Sequence, residues 1–236
     1  MALSELSAST QNYLKAILSL QEWSTAPVTP TLVAERTGMK LSTVSDAMRR
    51  LADRGLVEHA PYGAITLTSE GQSLALGMMR RHRLIETFLV DMLGYSWDLV
   101  HDEAESLEHA VSDTLIDRLD VLLGKPARDP HGDPIPGPDG TITYPAAQPL
   151  SDLPPGAALR VERISDADPA LLQYFSEHGI GVGAAIHTRE GAPYSGAIEV
   201  QVGDATASIT LGRPATEAVW VSVLEAETPA RDGGAA

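Results

Sequence analysis

Cysteine is absent from the 236 residues. That excludes disulfide frameworks, thiol nucleophiles, iron–sulfur clusters and every thiolate zinc site, so any metal must be held by nitrogen and oxygen. Aromatic residues are few, with two Phe in the whole chain. No apolar run approaches the ~20 residues of a membrane span, and no membrane partner is expected. The opening Met-Ala-Leu-Ser-Glu-Leu-Ser has neither the basic region nor the apolar stretch of a secretory signal, so the expected location is the cytoplasm. Basic residues are scarce too, 17 against 32 acidic ones, for a net charge of −15. So acidic a chain is a poor partner for phosphate as a whole, but its charge is unevenly spread. Residues 1–83 hold nine of the 17 basic residues and seven of the 32 acidic ones, which leaves a DNA contact confined to the front permissible. The remaining composition, 43% hydrophobic and 21% charged, is that of a globular chain long enough for more than one domain.

Tyr13, Leu14, Ile17 and Leu18 recur at helical spacing and predict an amphipathic first helix over residues 9–22. Thr29-Pro30 ahead of Leu32-Val33-Ala34, with Gly38 beyond, reads as the cap, first-turn proline and glycine stop of a short second helix. A third runs from Lys40 to Arg54-Gly55 on a stripe of Val44, Met48 and Leu51. Residues 56–59, a turn at Ala60-Pro61-Tyr62-Gly63 and residues 64–68 alternate like a β-hairpin. A long fourth helix is expected over residues 69–93 up to Gly94, then helical stretches at 97–109 and 112–123, whose apolar faces would bury each other or a second copy of the chain. Residues 128–140 are too rich in Pro, Gly and Asp for regular structure and read as a linker. Beyond them, short β-like runs at 158–164, 185–188, 198–202, 207–211 and 218–223, with a helix near 169–178, predict a small β-barrel.

Two short helices about a glycine turn, followed by a hairpin, form the layout of a winged helix-turn-helix, whose second helix enters the DNA major groove. Lys40, Ser42, Thr43, Ser45 and Asp46 crowd the amino end of that helix, and Arg49, Arg50 and Lys15 offer phosphate contacts. Asp46 is placed to accept from a cytosine amino group. Capping by Ser42 would account for only one of the hydroxyls; a winged helix that binds protein alone is the other reading.

Three of the seven histidines lie between residues 82 and 109, each with a carboxylate at helical reach. His82 and Glu86 are four apart, as are His101 and Glu105, and Glu105 faces Glu108 and His109 on the same side of a helix. Such side chains converge well enough to hold a divalent cation. As surface ion pairs they would do nothing chemical, and His59, His131, His178 and His187, which lack such company, are taken as structural or exposed. Carboxylate and imidazole without thiolate suit Mn(II), and also Fe(II), Co(II) or Zn(II). An open hydrolytic or redox metal centre is the enzymatic rival, but there is no H-E-x-x-H, phosphate loop or nucleophile beside a histidine.

The order of a winged helix, M-R-R-H-R-L-I-E at 79–86, H-D-E-A-E-S-L-E-H at 101–109, D-P-H-G-D-P-I-P-G at 129–137 and a small β domain resembles the diphtheria-toxin-repressor family of metal-dependent transcriptional regulators, in its manganese-responsive branch. The resemblance implies a mainly helical fold with a small β domain. Its parts would be a winged helix-turn-helix at 1–75, a helical metal-binding and dimerisation domain at 76–128, a linker at 129–154, an SH3-like (FeoA-like) barrel at 155–225 and a disordered tail at 226–236. It implies a regulatory metal site of Asn12, Glu105, Glu108 and His109, and an ancillary site of His82, Glu86 and His101 with an acidic ligand from Asp166 or the nearby Asp168. The iron-responsive branch has Cys at the position of Glu105 and Met at that of Asn12; the manganese branch has a carboxylate at the first and Asp at the second. Asn12 therefore brings an oxygen but no charge, and Asp46 stands where a neutral amide is usual. The function implied is a manganese-dependent repressor, not an enzyme, that binds double-stranded operator DNA as a metal-loaded homodimer and controls metal-homeostasis genes. An iron-responsive or metal-independent regulator is the alternative.

Overall fold

Ser7 caps the first helix, α1 (Ala8–Trp23), by accepting from the Thr10 amide, and Thr29 caps α2 (Pro30–Thr37), which Gly38 ends at a left-handed φ of 64°. The next helix, α3 (Leu41–Asp53), starts at Lys40 with no side-chain cap. Strands β1 (Val57–His59) and β2 (Ile65–Leu67) pair antiparallel, Val57 opposite Leu67. Thr68 then caps α4 (Ser69–Leu93), which stops at Gly94. Helices α5 (Val100–Glu108) and α6 (Asp113–Leu122) follow, the latter capped by Ser112. The structure is a computed structural model describing residues 3–59 and 63–224; the expected turn residues 60–62 and the tail from 225 onward lie outside them.

The chain divides into two compact units, residues 1–129 with 134–143, and 130–133 with 144–236. In the first, α4 serves two cores. Its amino-terminal half places Leu74, Ala75 and Met79 among Leu14, Ile17, Val44, Met48 and Leu56, and its carboxy-terminal half packs Leu84, Ile85 and Leu89 against Val100, Ala104 and Ile116. Gly71 lets α4 leave the hairpin: a Cβ there would lie 1.9 Å from the Leu56 carbonyl oxygen. The expected stretch at 97–109 starts three residues late, because residues 97–99 form a turn in which Ser96 bonds to Asp98 and no side chain caps the helix.

The second unit is an antiparallel sheet of β3 (Gln148–Pro149), β4 (Ala158–Ile164), β5 (Ala185–Glu190), β6 (Ile198–Val202), β7 (Ser208–Leu211) and β8 (Val219–Val223), with helices α7 (Pro169–Glu177) and α8 (Arg213–Glu217). The strand order is β3-β8-β4-β5-β6-β7. Its buried Arg163 pairs with Asp133 at 2.6 Å and lies 5.3 Å from the Trp220 ring centroid. The Pro- and Gly-rich segment has no helix or strand, yet it is anchored. In the first unit Arg80 and Arg83 donate to the carbonyls of Pro136 and Pro134 at 2.9 and 2.7 Å; in the second, Ile164 donates to the His131 carbonyl at 2.9 Å.

Candidate metal centre

Within the first unit, α4 and α5 bring His82, Glu86, His101, Glu105, Glu108 and His109 together. His82 and Glu86 sit one turn apart on α4; His101, Glu105 and Glu108 are on α5, with His109 at its carboxy end; Asn12 is on α1. The ring of His82 stands between two groups. Its Nε2 is 3.0 Å from Glu86 Oε1 and 3.2 Å from His101 Nδ1, which is itself 3.3 Å from Glu86. A donor atom from each of these three side chains lies within 4.8 Å of the others. On the other edge, His82 Nδ1 is 2.6 Å from Glu108 Oε2, and His109 Nε2 is 3.5 Å from Glu108 Oε1. Glu86 and Glu108 are buried at 1% and 0% exposure, so these are not solvated surface pairs.

Two side chains that sequence reasoning did not place here complete the centre. The ammonium of Lys15 donates to both oxygens of Glu108 at 2.7 and 2.9 Å and to Glu105 at 3.1 Å, and lies 3.3 Å from His82 Nδ1. This corrects the expected phosphate contact, since Lys15 is buried among carboxylates. Gln11 Oε1 accepts from His109 Nδ1 at 2.6 Å. The available signal was position: Gln11 and Lys15 are polar on the buried face of α1, beside and one turn beyond Asn12.

Burial alone would push the His82 imidazole down, but the carboxylates of Glu86 and Glu108 outweigh both it and Lys15 and hold the ring above its ordinary range. Burial raises Glu108 and Glu105; for Glu108 the His82 ring, and for Glu105 the Lys15 ammonium, bring each carboxyl below its ordinary value. His109 is pushed down by burial, against the pull of Glu108.

These residues fit a divalent metal on two grounds. The donors are all carboxylate and imidazole, which suits ions of the Mn(II) kind, and Asn12 Oδ1 is buried with no hydrogen-bond partner, a condition that calls for an occupant. The two acidic candidates from the β domain belong to the second unit, between β4 and α7. Asp166 is half-buried there, and Asp168 caps α7 by accepting from the amides of Ala170 and Leu171 at 3.0 and 3.3 Å.

On α3, Lys40, Ser42, Thr43, Asp46, Arg49 and Arg50 are exposed and Ser45 is half-buried. Ser42 does not cap the helix, which leaves its first amides without a side-chain partner. Asp46 pairs with Arg49 on the surface. The basic balance of the front is more local than its count implies. Arg80, Arg81 and Arg83 are buried on α4 and Lys15 on α1, so the exposed cations of that segment are Arg36, Lys40, Arg49, Arg50 and Arg54, all on or beside α2 and α3.

Comparison with known proteins matches three family models to the chain. Residues 5–65 match the model of the iron dependent repressor, N-terminal DNA binding domain; residues 68–137 match that of the metal binding and dimerisation domain; residues 148–223 match the FeoA domain. The chain is 34% identical over 198 residues to the diphtheria toxin repressor of Corynebacterium efficiens, covering 77% of this chain and 83% of that protein. The chain belongs to the diphtheria-toxin-repressor family. It is a metal-dependent transcriptional repressor with a DNA-binding domain, a helical metal-binding and dimerisation domain and a C-terminal FeoA domain. Another member, the iron-dependent repressor IdeR of Mycobacterium leprae, is 34% identical over 166 residues, covering 67% of this chain and 72% of that one. Among solved structures, a manganese-dependent transcriptional repressor in complex with manganese is 50% identical, with a TM-score of 0.87 over 91% of this chain and 100% of that one. Among the described residues, no helix is long and apolar enough to cross a membrane.

Proposed function

We propose that this repressor is manganese-responsive and binds double-stranded operator DNA as a metal-loaded homodimer in the cytoplasm, controlling metal-homeostasis genes. The observation that carries this reading is the thiolate-free cluster in which α1, through Lys15 and Gln11, meets Glu105, Glu108 and His109 of α5; Asn12, on the same helix with its Oδ1 buried and unpartnered, would join them as a ligand. His82, Glu86 and His101 form the ancillary site beside it, linked through the contact between His82 and Glu108. When bound, a divalent ion supplies the positive charge these donors share. Asn12 would then anchor α1 to the end of α5, and because α1 packs with α2 and α4 in one core with α3, the direction of α3 would be tied to the helices that dimerise. In a two-fold dimer that angle sets the spacing of the two recognition helices, and only some spacings match half-sites a helical turn apart. Exposed Met92, Leu93, Leu99, Val121 and Leu122 around α4 to α6 support the dimer. Lys40, Arg49 and Arg50 suit phosphate, and Asp46 suits a cytosine amino group.

Manganese is favoured by the carboxylate-rich donors and by the manganese complex of the 50%-identical neighbour. Iron is the second reading, because the relative from Mycobacterium leprae is an iron-dependent repressor; anaerobic activation by Fe(II) alone would select it. Glu105→Ala is expected to abolish metal-stimulated DNA binding while light scattering still reports a dimer. Unaltered stimulation in that variant would remove Glu105 from the site.

A further inference from the structure

The Lys15 ammonium stands where a cation bound by this centre would stand. Both oxygens of Glu108, one of Glu105 and Nδ1 of His82 lie within 3.3 Å of its nitrogen, and its side chain is 9% exposed. A divalent ion on a carboxylate oxygen sits about 2.0–2.6 Å from it. Held at 2.7 Å from the same oxygen, the ammonium would then lie within about 5 Å of that ion, and like charges at such range in a buried setting repel. Sharing Glu108 between them would carry that repulsion, which favours one cation over the other. Lysine is also built for displacement, a compact charge on a flexible four-carbon stem. Without an ion, the same ammonium keeps the fully buried Glu108 paired.

We propose that Lys15 is a tethered cation that competes with the divalent metal for Glu105 and Glu108 and so sets the metal concentration at which the repressor responds. The inference rests on the reading of Glu105 and Glu108 as metal ligands. Exchange also moves the α1 anchor from Lys15 to Asn12, one turn back along the helix. A purely structural lysine would contribute stability and leave metal affinity alone.

The test uses the full chain, stripped with chelator and titrated with Mn(II) while free Mn(II) is counted by electron paramagnetic resonance. Lys15→Gln keeps a donor toward Glu108 and removes the charge, and is expected to bind Mn(II) at least about tenfold more tightly than wild type. Lys15→Arg, which keeps the charge, is expected to gain nothing. Unchanged or weaker binding in Lys15→Gln, alongside a Glu105→Ala variant that has lost Mn(II), overturns the tethered cation and leaves the ligand reading standing. Glu105→Ala retaining every bound Mn(II) overturns both. Wild-type protein gives a second readout that needs no variant to fold. Lys15 is one of three lysines, with Lys40 and Lys125, and reductive methylation mapped by mass spectrometry is expected to modify it faster with Mn(II) than with chelator. Equal protection in both conditions contradicts displacement.

Discussion

Glu108 meets an imidazole at 2.6 Å and an ammonium at 2.7 Å with none of its surface exposed, so its charge is held by named partners and not by solvent. Asn12, one helical turn before that ammonium, supplies an amide oxygen where a carboxylate would add charge. Asn12→Asp is therefore expected to lower the Mn(II) dissociation constant by about tenfold or more, since ligand charge count tunes such sites; calorimetry giving an unchanged constant would take position 12 out of the ligand set. Protonation follows from the same contacts. In chelator, His82 is expected to titrate above the ordinary imidazole value and His109 below it, read by NMR of the ring resonances; the reverse order would contradict the geometry. The signs differ for stability. The contribution of His82 is complete below the ordinary imidazole value and lost as pH rises through its raised one, whereas the lowered value of His109 costs stability below the ordinary imidazole value, a cost that fades as pH rises to it. Glu105 and Glu108 contribute above the ordinary carboxylate range and lose that contribution as pH falls through their depressed values. Metal must displace the His82 proton, so Mn(II) binding is expected to tighten as pH rises.

Helices carry these residues to one another, and their ends were legible where the chain marks them chemically. Thr68 and Gly94 bound α4 at the expected residues, as Thr29 and Gly38 bound α2. The start of α5 lacks a capping side chain, and there the expected boundary ran early. The His/Glu pairs on α4 and α5 were legible too, because each is a helical spacing within one element. Lys15 was not. Its partner Glu105 lies 90 residues away, and nothing in the local pattern of α1 separates a lysine bound for a buried carboxylate from one bound for DNA phosphate. The exposed apolar side chains of α6 have a use at this scale. Leu122→Asp is expected to shift the protein toward monomer in sedimentation and to weaken DNA binding with it, while Mn(II) binding persists; an unaltered dimer would place the interface elsewhere.

Across the whole molecule, an acidic chain of net charge −15 keeps its exposed front cations on and beside α2 and α3. DNA attraction is thus confined to one surface and will fall with salt. On the proposed reading, metal and DNA are coupled through the angle that α1 and α5 share: what favours the DNA-competent arrangement is bound more tightly by it, and DNA must raise metal affinity by the same factor. The most direct measurement is the retention of a randomised duplex DNA pool by chelator-stripped protein, with and without Mn(II), at one fixed salt concentration. Retention with Mn(II) and little without it is the expected result, and the selected sequence is then the operator. Equal retention in chelator and in excess Mn(II) would contradict a metal-gated repressor.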